Sequence, residues 1–384
     1  MTVINRNLNH TVPSIGSDLL ITVVATDQVF VPPAFESLPA EFITRLPYKP
    51  VGLAQKIYVL ADTVCIALAG RVMEMKQLVD DLSMFCRITP RLTGESIRTY
   101  LRDYGLDQLK ECAFVMLVVE RSSEGDFDVT EITMGEFTEV DTEMFDQAAA
   151  IGSGAQDYLD VINQKMKFFT SFPKGGIRQS VVKEGTLIAH LLVWERATRK
   201  TLEKAWGGAF EFCVFDGRKF VKPDNVAYIV NFGQVDANGR YEMPFPVFVL
   251  HHRYVGEHLV ITKVFWKNHH FSDDGVDRYI LRSTDVTAQV FIVPSIKTGA
   301  FVPPELQKVE SFETGWIGMG YLVNTHDQLS VMPAFFTASS DLNVVFDAEK
   351  GVVELFMRKT VTELIQQLMT EAVAATRAAG PEPE

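Results

Sequence analysis

Residues 55–87, QKIYVLADTVCIALAGRVMEMKQLVDDLSMFCR, decide how the rest of the chain is read. Two β-rich runs, 56–60 and 63–69, are joined by the tight Ala61-Asp62 link and predict a hairpin. After Gly70, the residues Val72, Met75, Leu78, Val79, Leu82, Phe85 and Cys86 recur every three or four positions, the spacing of a helix that buries one face. A hairpin followed by a packed helix is scaffold, so the chemistry has to come from elsewhere.

Working outward, the 384 residues are 47% hydrophobic, enough core for one large domain or two ordinary ones. A formal net charge of -13 argues against a sequence-independent nucleic-acid binder, which needs cations to neutralise phosphates. Cys65, Cys86, Cys112 and Cys213 lie far apart in apolar runs with no C-x-x-C spacing. They read as reduced, buried thiols, so neither a disulfide framework nor a zinc site is expected. No uninterrupted apolar run approaches the ~18 residues of a membrane span, and the first twenty residues lack the apolar core of a secretory signal. The expectation is a cytoplasmic protein with no membrane or nucleic-acid partner.

Residues 1–16 are polar, carry Pro13 and read as a leader or flexible arm. From Leu19 the chain turns apolar, and LLITVVATDQVFV suggests two short strands around a Thr26-Asp27-Gln28 turn. Prolines in residues 32–50 preclude a central strand there and predict an ordered loop. Further on, 93–104 reads as helix, 112–121 and 127–134 as strands, and 184–204 as a helix with apolar residues on more than one face. A loop is expected at 172–176.

The 55–87 stretch resembles the proteasome and its bacterial relatives among the N-terminal-nucleophile (Ntn) hydrolases, where a lysine opens a K-I-x-x-L strand, followed by a strand ending in A-G and then a helix. A second block, Ala150-Ile151-Gly152-Ser153-Gly154, is similar to that family's A-I-G-S-G strand-to-helix turn. The resemblance implies an α+β fold, a four-layer αββα sandwich over 17–238, with 239–384 as a β-rich C-terminal extension. The domain boundary is placed in the turn at 233–238. It also implies homo-oligomerisation and a peptide or small amide as substrate; from the spacing of His and Cys and the absence of ligand motifs, no cofactor or metal is expected.

Ntn chemistry sets physical requirements. The first residue supplies a hydroxyl or thiol as nucleophile and its own α-amine as base; an α-amine titrates near ~8, so it accepts a proton at neutral pH. A nearby ammonium lowers the amine's proton affinity further. The resemblance makes Ser17 the nucleophile, after self-cleavage at Gly16-Ser17, with Lys56 as the cation and Ser153 hydrogen-bonding near the amine. A gap-free count along the strand points instead to Asp18, and Thr22 is a weaker option. The alternatives are a small polar lead-in to the first strand at Gly16-Ser17, and an edge-of-strand surface lysine at Lys56.

Two of the family's carboxylates are not evident. Pro32-Pro33-Ala34-Phe35 stands where one is expected, with Glu36 beyond it, and none shows around 198–206. The competing function is therefore an inactive proteasome-like binding or assembly protein. In the C-terminal part, β-forming runs in 241–295 are broken by a polar loop at 267–277. His251, His252, His258, His269 and His270 cluster there without a ligand motif, and a final helix at 359–375 precedes a disordered AAGPEPE tail.

Overall fold

The computed structural model describes residues 2–379 apart from 10–11, 107–108, 110, 122–125, 164–176, 236–240, 243–245, 274, 276, 298–301 and 326–327. The expected loop at 172–176, half of the boundary turn at 233–238 and most of the tail lie outside these residues.

The first half contains β1 (Val3–Asn9), β2 (Val12–Asp18), β3 (Leu20–Val23), α1 (Ala40–Arg45), β4 (Lys49–Leu53), β5 (Ile57–Ala61), β6 (Val64–Gly70), α2 (Val72–Ile88) and α3 (Gly94–Tyr104). There follow β7 (Cys112–Arg121), β8 (Phe127–Met134), β9 (Thr138–Val140), β10 (Gln147–Gly152), α4 (Ala155–Asn163), α5 (Ile177–Thr198), α6 (Lys200–Glu203), β11 (Phe210–Phe215) and β12 (Phe220–Val221). The hairpin and helix read from 55–87 are β5, β6 and α2. Helix α3 begins where Thr93 and Ser96 exchange side-chain and backbone hydrogen bonds in a capping box.

Antiparallel pairing gives a six-stranded sheet, β12-β11-β2-β1-β10-β9, and a four-stranded one, β5-β6-β7-β8. They share an apolar layer of Ile4, Ile15, Ile57, Cys65, Val115, Leu117 and Phe215. The other face of the four-stranded sheet is covered by α2 and α3 through Met75, Leu78, Leu82 and Ile97.

The expected polar arm at 1–16 is thus two strands at the centre of a sheet. Among its described residues Asn5, Arg6, Asn7 and Ser14 are buried: Arg6 is paired with Glu131 at 2.7 Å, and Asn7 donates to Glu184 at 2.7 Å. Of the two short strands expected in 19–31, β3 forms, and it pairs with β4 from the far side of the proline-rich loop.

The second half supplies β13 (Val226–Val235), β14 (Tyr241–Glu242), β15 (Pro246–Val255), β16 (His258–Asp273), β17 (Arg278–Val293), β18 (Phe312–Glu313), β19 (Trp316–Thr325), β20 (Gln328–Thr337), β21 (Leu342–Asp347), β22 (Val352–Arg358) and α7 (Lys359–Ala379). These strands make a ten-stranded sheet with the path β18-β21-β22-β17-β16-β15-β13-β19-β20 and β14 paired off it on β13. The sheet is mixed, because β13 and β19 run parallel. Strand β16 runs through most of the span expected as a polar loop at 267–277, and β13 already belongs to this sheet, ahead of the boundary expected at 233–238.

The four-layer αββα sandwich is overturned. Among the described residues the chain is β-rich, 45% strand against 28% helix, with large curled sheets and a nine-strand half-barrel. The physical reason lies in α5, which the sandwich would place in an outer layer. Leu187, Ile188, Ala189, Leu191, Leu192 and Val193 are all buried, so the helix is apolar around most of its circumference and needs cover on both sides. One side meets the six-stranded sheet and the other meets β19 and β20. The approach is close: a Cβ at Gly320 would stand 2.2 Å from Val193, and one at Gly185 would stand 2.3 Å from the Phe335 ring.

Candidate active site

Three buried polar residues meet where β1, β2 and β5 come together. Thr2 sits immediately before β1, Asp18 ends β2 and Lys56 precedes β5, and all three are at most 4% exposed. Thr2 Oγ1 donates to Asp18 Oδ1, and Lys56 Nζ donates in turn to Thr2 Oγ1. Lys56 Nζ is also paired with Asp18 Oδ1 at 2.8 Å and donates to the Leu20 carbonyl at 3.0 Å, so all three of its protons have acceptors. Asp18 accepts further from the Val3 N–H at 2.8 Å and, on its other oxygen, from the Gly207 N–H at 3.0 Å. A buried ion pair is tolerable only when its remaining hydrogen-bonding capacity is filled in this way.

Burial holds the Lys56 ammonium below its ordinary pKa, and the Asp18 carboxylate, with Glu211 behind it, opposes that shift. A second buried carboxyl lies on the far side of Asp18. Glu195, on α5 and fully buried, accepts from Thr201 Oγ1 at 2.7 Å and from the Gly208 N–H at 2.9 Å. Burial raises its carboxyl to about 7, against those hydrogen bonds and with a further push from Asp18.

Lys56 lies in this cluster with Thr2 and Asp18. Ser153 follows Gly152, which pairs with Val3; a Cβ on Gly152 would come within 1.9 Å of the Thr2 carbonyl oxygen, so Gly152 and Thr2 are in direct backbone contact. The Ser153 hydroxyl is buried and has no hydrogen-bond partner among the described residues.

Ser17 is a correction. It lies inside β2, paired in register with Ile4 and Glu211, and its hydroxyl faces Glu211 at 3.5 Å. Cleavage at Gly16-Ser17 would cut a central strand and detach β1, so Ser17 is not placed to present a free amine at the mouth of a strand. Thr22 lies on β3, opposite Pro50. Asp18, to which the gap-free count pointed, is the buried carboxylate of the cluster. Glu36 stands apart, 3.6 Å from Arg196.

Sequence reasoning missed Thr2, Glu195 and Glu211. The signal available for Thr2 was a small hydroxyl residue at position 2, sixteen residues before an aspartate. It was hidden because residues 3–18 look too polar to be core strands. Among the described residues no group of three or more His, Cys, Asp or Glu could hold a metal ion. His251 instead stacks on Phe312 at 3.9 Å, and His252 meets the edge of Tyr228 at 5.0 Å. No described helix is long and apolar enough to cross a membrane.

No model of a known protein family matches this chain, and no curated protein matches it.

Proposed function

We propose that the chain is an amide hydrolase that uses Thr2 as an N-terminal nucleophile, acting on peptides or small amides. The observation that carries this reading is the hydrogen bond from the buried Lys56 ammonium to the Thr2 hydroxyl, with Asp18 holding both groups. A hydroxyl held against an ammonium is biased toward its alkoxide, because the cation stabilises negative charge on oxygen. Once whatever precedes Thr2 is removed, its nitrogen becomes a free amine on the same residue and can take the hydroxyl proton.

In the acylation step the Thr2 Oγ1–carbonyl bond forms and the amide C–N bond breaks. The proton taken by the Thr2 amine passes to the leaving nitrogen. Water then hydrolyses the ester and regenerates Thr2. Asp18 pairs with Lys56 and holds the cation in place.

Intact-mass measurement of the purified protein, together with hydrolysis of a mixed-sequence peptide library, tests the reading. A chain starting at Thr2, activity abolished in Thr2→Ala and partly kept in Thr2→Ser is the expected result. Undiminished hydrolysis by Thr2→Ala, or by a chain that retains Met1, removes this mechanism.

A further inference from the structure

Strand β11 reads Phe-Glu-Phe-Cys-Val-Phe, and its one charged residue, Glu211, is only 3% exposed. A carboxylate in that position is costly unless every lone pair is used. Here it is. Oε1 accepts from the backbone N–H groups of Lys56 at 2.7 Å and Ile57 at 3.0 Å, and from Ser17 at 3.5 Å. Oε2 accepts from Lys222 Nζ at 2.7 Å and from the Tyr254 hydroxyl at 3.3 Å.

Two successive N–H groups bound to one carboxylate oxygen fix both peptide planes at Lys56. The carbonyl of Lys56 is held too, by the Leu68 N–H at 3.0 Å. The preceding residue is anchored on the second half of the chain. Gln55 donates its N–H to the Pro294 carbonyl at 3.1 Å and its side-chain amide to Glu257 O at 2.6 Å and Val293 O at 3.1 Å, while accepting from Lys222 at 3.0 Å. The lysine that touches the Thr2 hydroxyl therefore hangs from a backbone segment gripped by Glu211, and Tyr254 of the ten-stranded sheet grips Glu211.

We propose that Glu211 is the positioning residue for Lys56, and that through Tyr254 the ten-stranded sheet sets the geometry of the Thr2 centre. This rests on Thr2 being the nucleophile. Glu211 touches neither the Thr2 hydroxyl nor a reacting atom, so its effect passes through the placement and charge of Lys56. The charged and titratable groups around that ammonium are Asp18 from β2 and Glu211 from β11. Tyr58 on β5, Tyr254 from β15, Lys222 beyond β12 and Glu195 from α5 stand behind them. Removing the Glu211 charge takes away one of the two carboxylates that keep Lys56 protonated, so the ammonium is lost at lower pH.

The test is the rate at which a small β-lactone acylates Thr2, followed by intact mass over a range of pH, in the full mature chain. Glu211→Gln is expected to acylate about 10–100-fold more slowly, the cost of a misplaced catalytic group, with the alkaline limb of its profile moved to lower pH. Tyr254→Phe removes one hydrogen bond to Glu211 while leaving its charge, and is expected to lose about five-fold in rate with the alkaline limb where the wild type has it. It decides the matter if Glu211→Gln does not fold. A wild-type rate and profile in the folded variants, with Thr2→Ala unlabelled, overturns the positioning role and leaves the nucleophile intact. Absence of Thr2-dependent labelling in the wild type overturns both.

Discussion

Asp18 and Glu195 are joined through adjacent peptide groups: the Gly207 N–H donates to Asp18 at 3.0 Å and the Gly208 N–H to Glu195 at 2.9 Å. Both glycines adopt positive φ, +97° and +81°, and a Cβ on Gly207 would fall 1.8 Å from a Glu195 oxygen. The turn into β11 therefore requires glycine at Gly207 for both conformation and room. It places two carboxylates from different elements on either side of one backbone step.

This pairing gives Glu195 a stability signature. Its carboxyl is raised from 4.5 to about 7 in the folded chain, so between those values the folded state binds the extra proton. Stability is then present at low pH and falls as pH rises through 7, by up to roughly 3 kcal/mol. Glu195→Gln keeps an acceptor for Gly208 and cannot titrate. Measured by denaturant titration, the wild type is expected to lose stability relative to the variant progressively as pH rises from about 4.5 through 7, and to change little above that; a wild-type-minus-variant difference that stays flat over that range contradicts the assignment.

The Lys56–Asp18 pair contributes to stability in a different way. Lys56→Met leaves a fully buried carboxylate without its cation, at a cost of about 3–5 kcal/mol. Adding Asp18→Asn removes the stranded charge while keeping an acceptor for the Val3 or Gly207 N–H. The double variant should recover part of the loss, as read from urea midpoints. A Lys56→Met chain within 1 kcal/mol of wild type, on the order of an exposed ion pair, would mean the pair is not buried as described.

What the sequence made legible here follows periodicity and composition. The β5–β6 hairpin and α2 were readable because alternation and a three-to-four repeat both sat within one stretch. Lys56 was readable as the residue opening that hairpin. Strands β1 and β2 were not, because Asn5, Arg6, Asn7, Ser14 and Ser17 are polar and yet buried. Their partners, such as Glu184 and Glu131, lie more than a hundred residues away, and no local pattern reports them. For the same reason nothing local marks Glu211, the one charged residue of β11, as a buried anchor. The excess apolar girth of α5 was visible, but not that a second sheet would supply its other cover.

Gly152 offers a backbone test of the site. At φ +112° its Cβ would meet the Thr2 carbonyl oxygen, so Gly152→Ala has to displace the nucleophile's own peptide. We expect it to cost on the order of 2 kcal/mol or more and to slow β-lactone labelling of Thr2. Gly351→Ala, at φ +61° with nothing within 4 Å, is the control. It should lose about 1 kcal/mol, the intrinsic left-handed cost, and label at the wild-type rate. Equal labelling by both variants would separate Gly152 from the site.

Lys263 lies deep in the ten-stranded sheet and is 0% exposed. Its ammonium donates to the Phe35 carbonyl at 2.7 Å and lies 4.0 Å from the Phe265 ring centre and 4.8 Å from that of Phe248. It thereby ties the proline-rich loop to β16. Burial, helped by Arg196 and opposed by Glu36, lowers its pKa from 10.5 to about 7. Above pH 7 the unfolded chain binds the proton that the folded chain has lost, so stability rises with pH, the opposite sign to Glu195. Relative to Lys263→Met, the wild type should gain up to roughly 2.5 kcal/mol between pH 7 and pH 9. Comparing denaturant midpoints of the two proteins at those pH values cancels the other titrating groups. A gain near zero would show that the lysine stays charged against the two aromatic faces, with the cation–π contacts offsetting its burial.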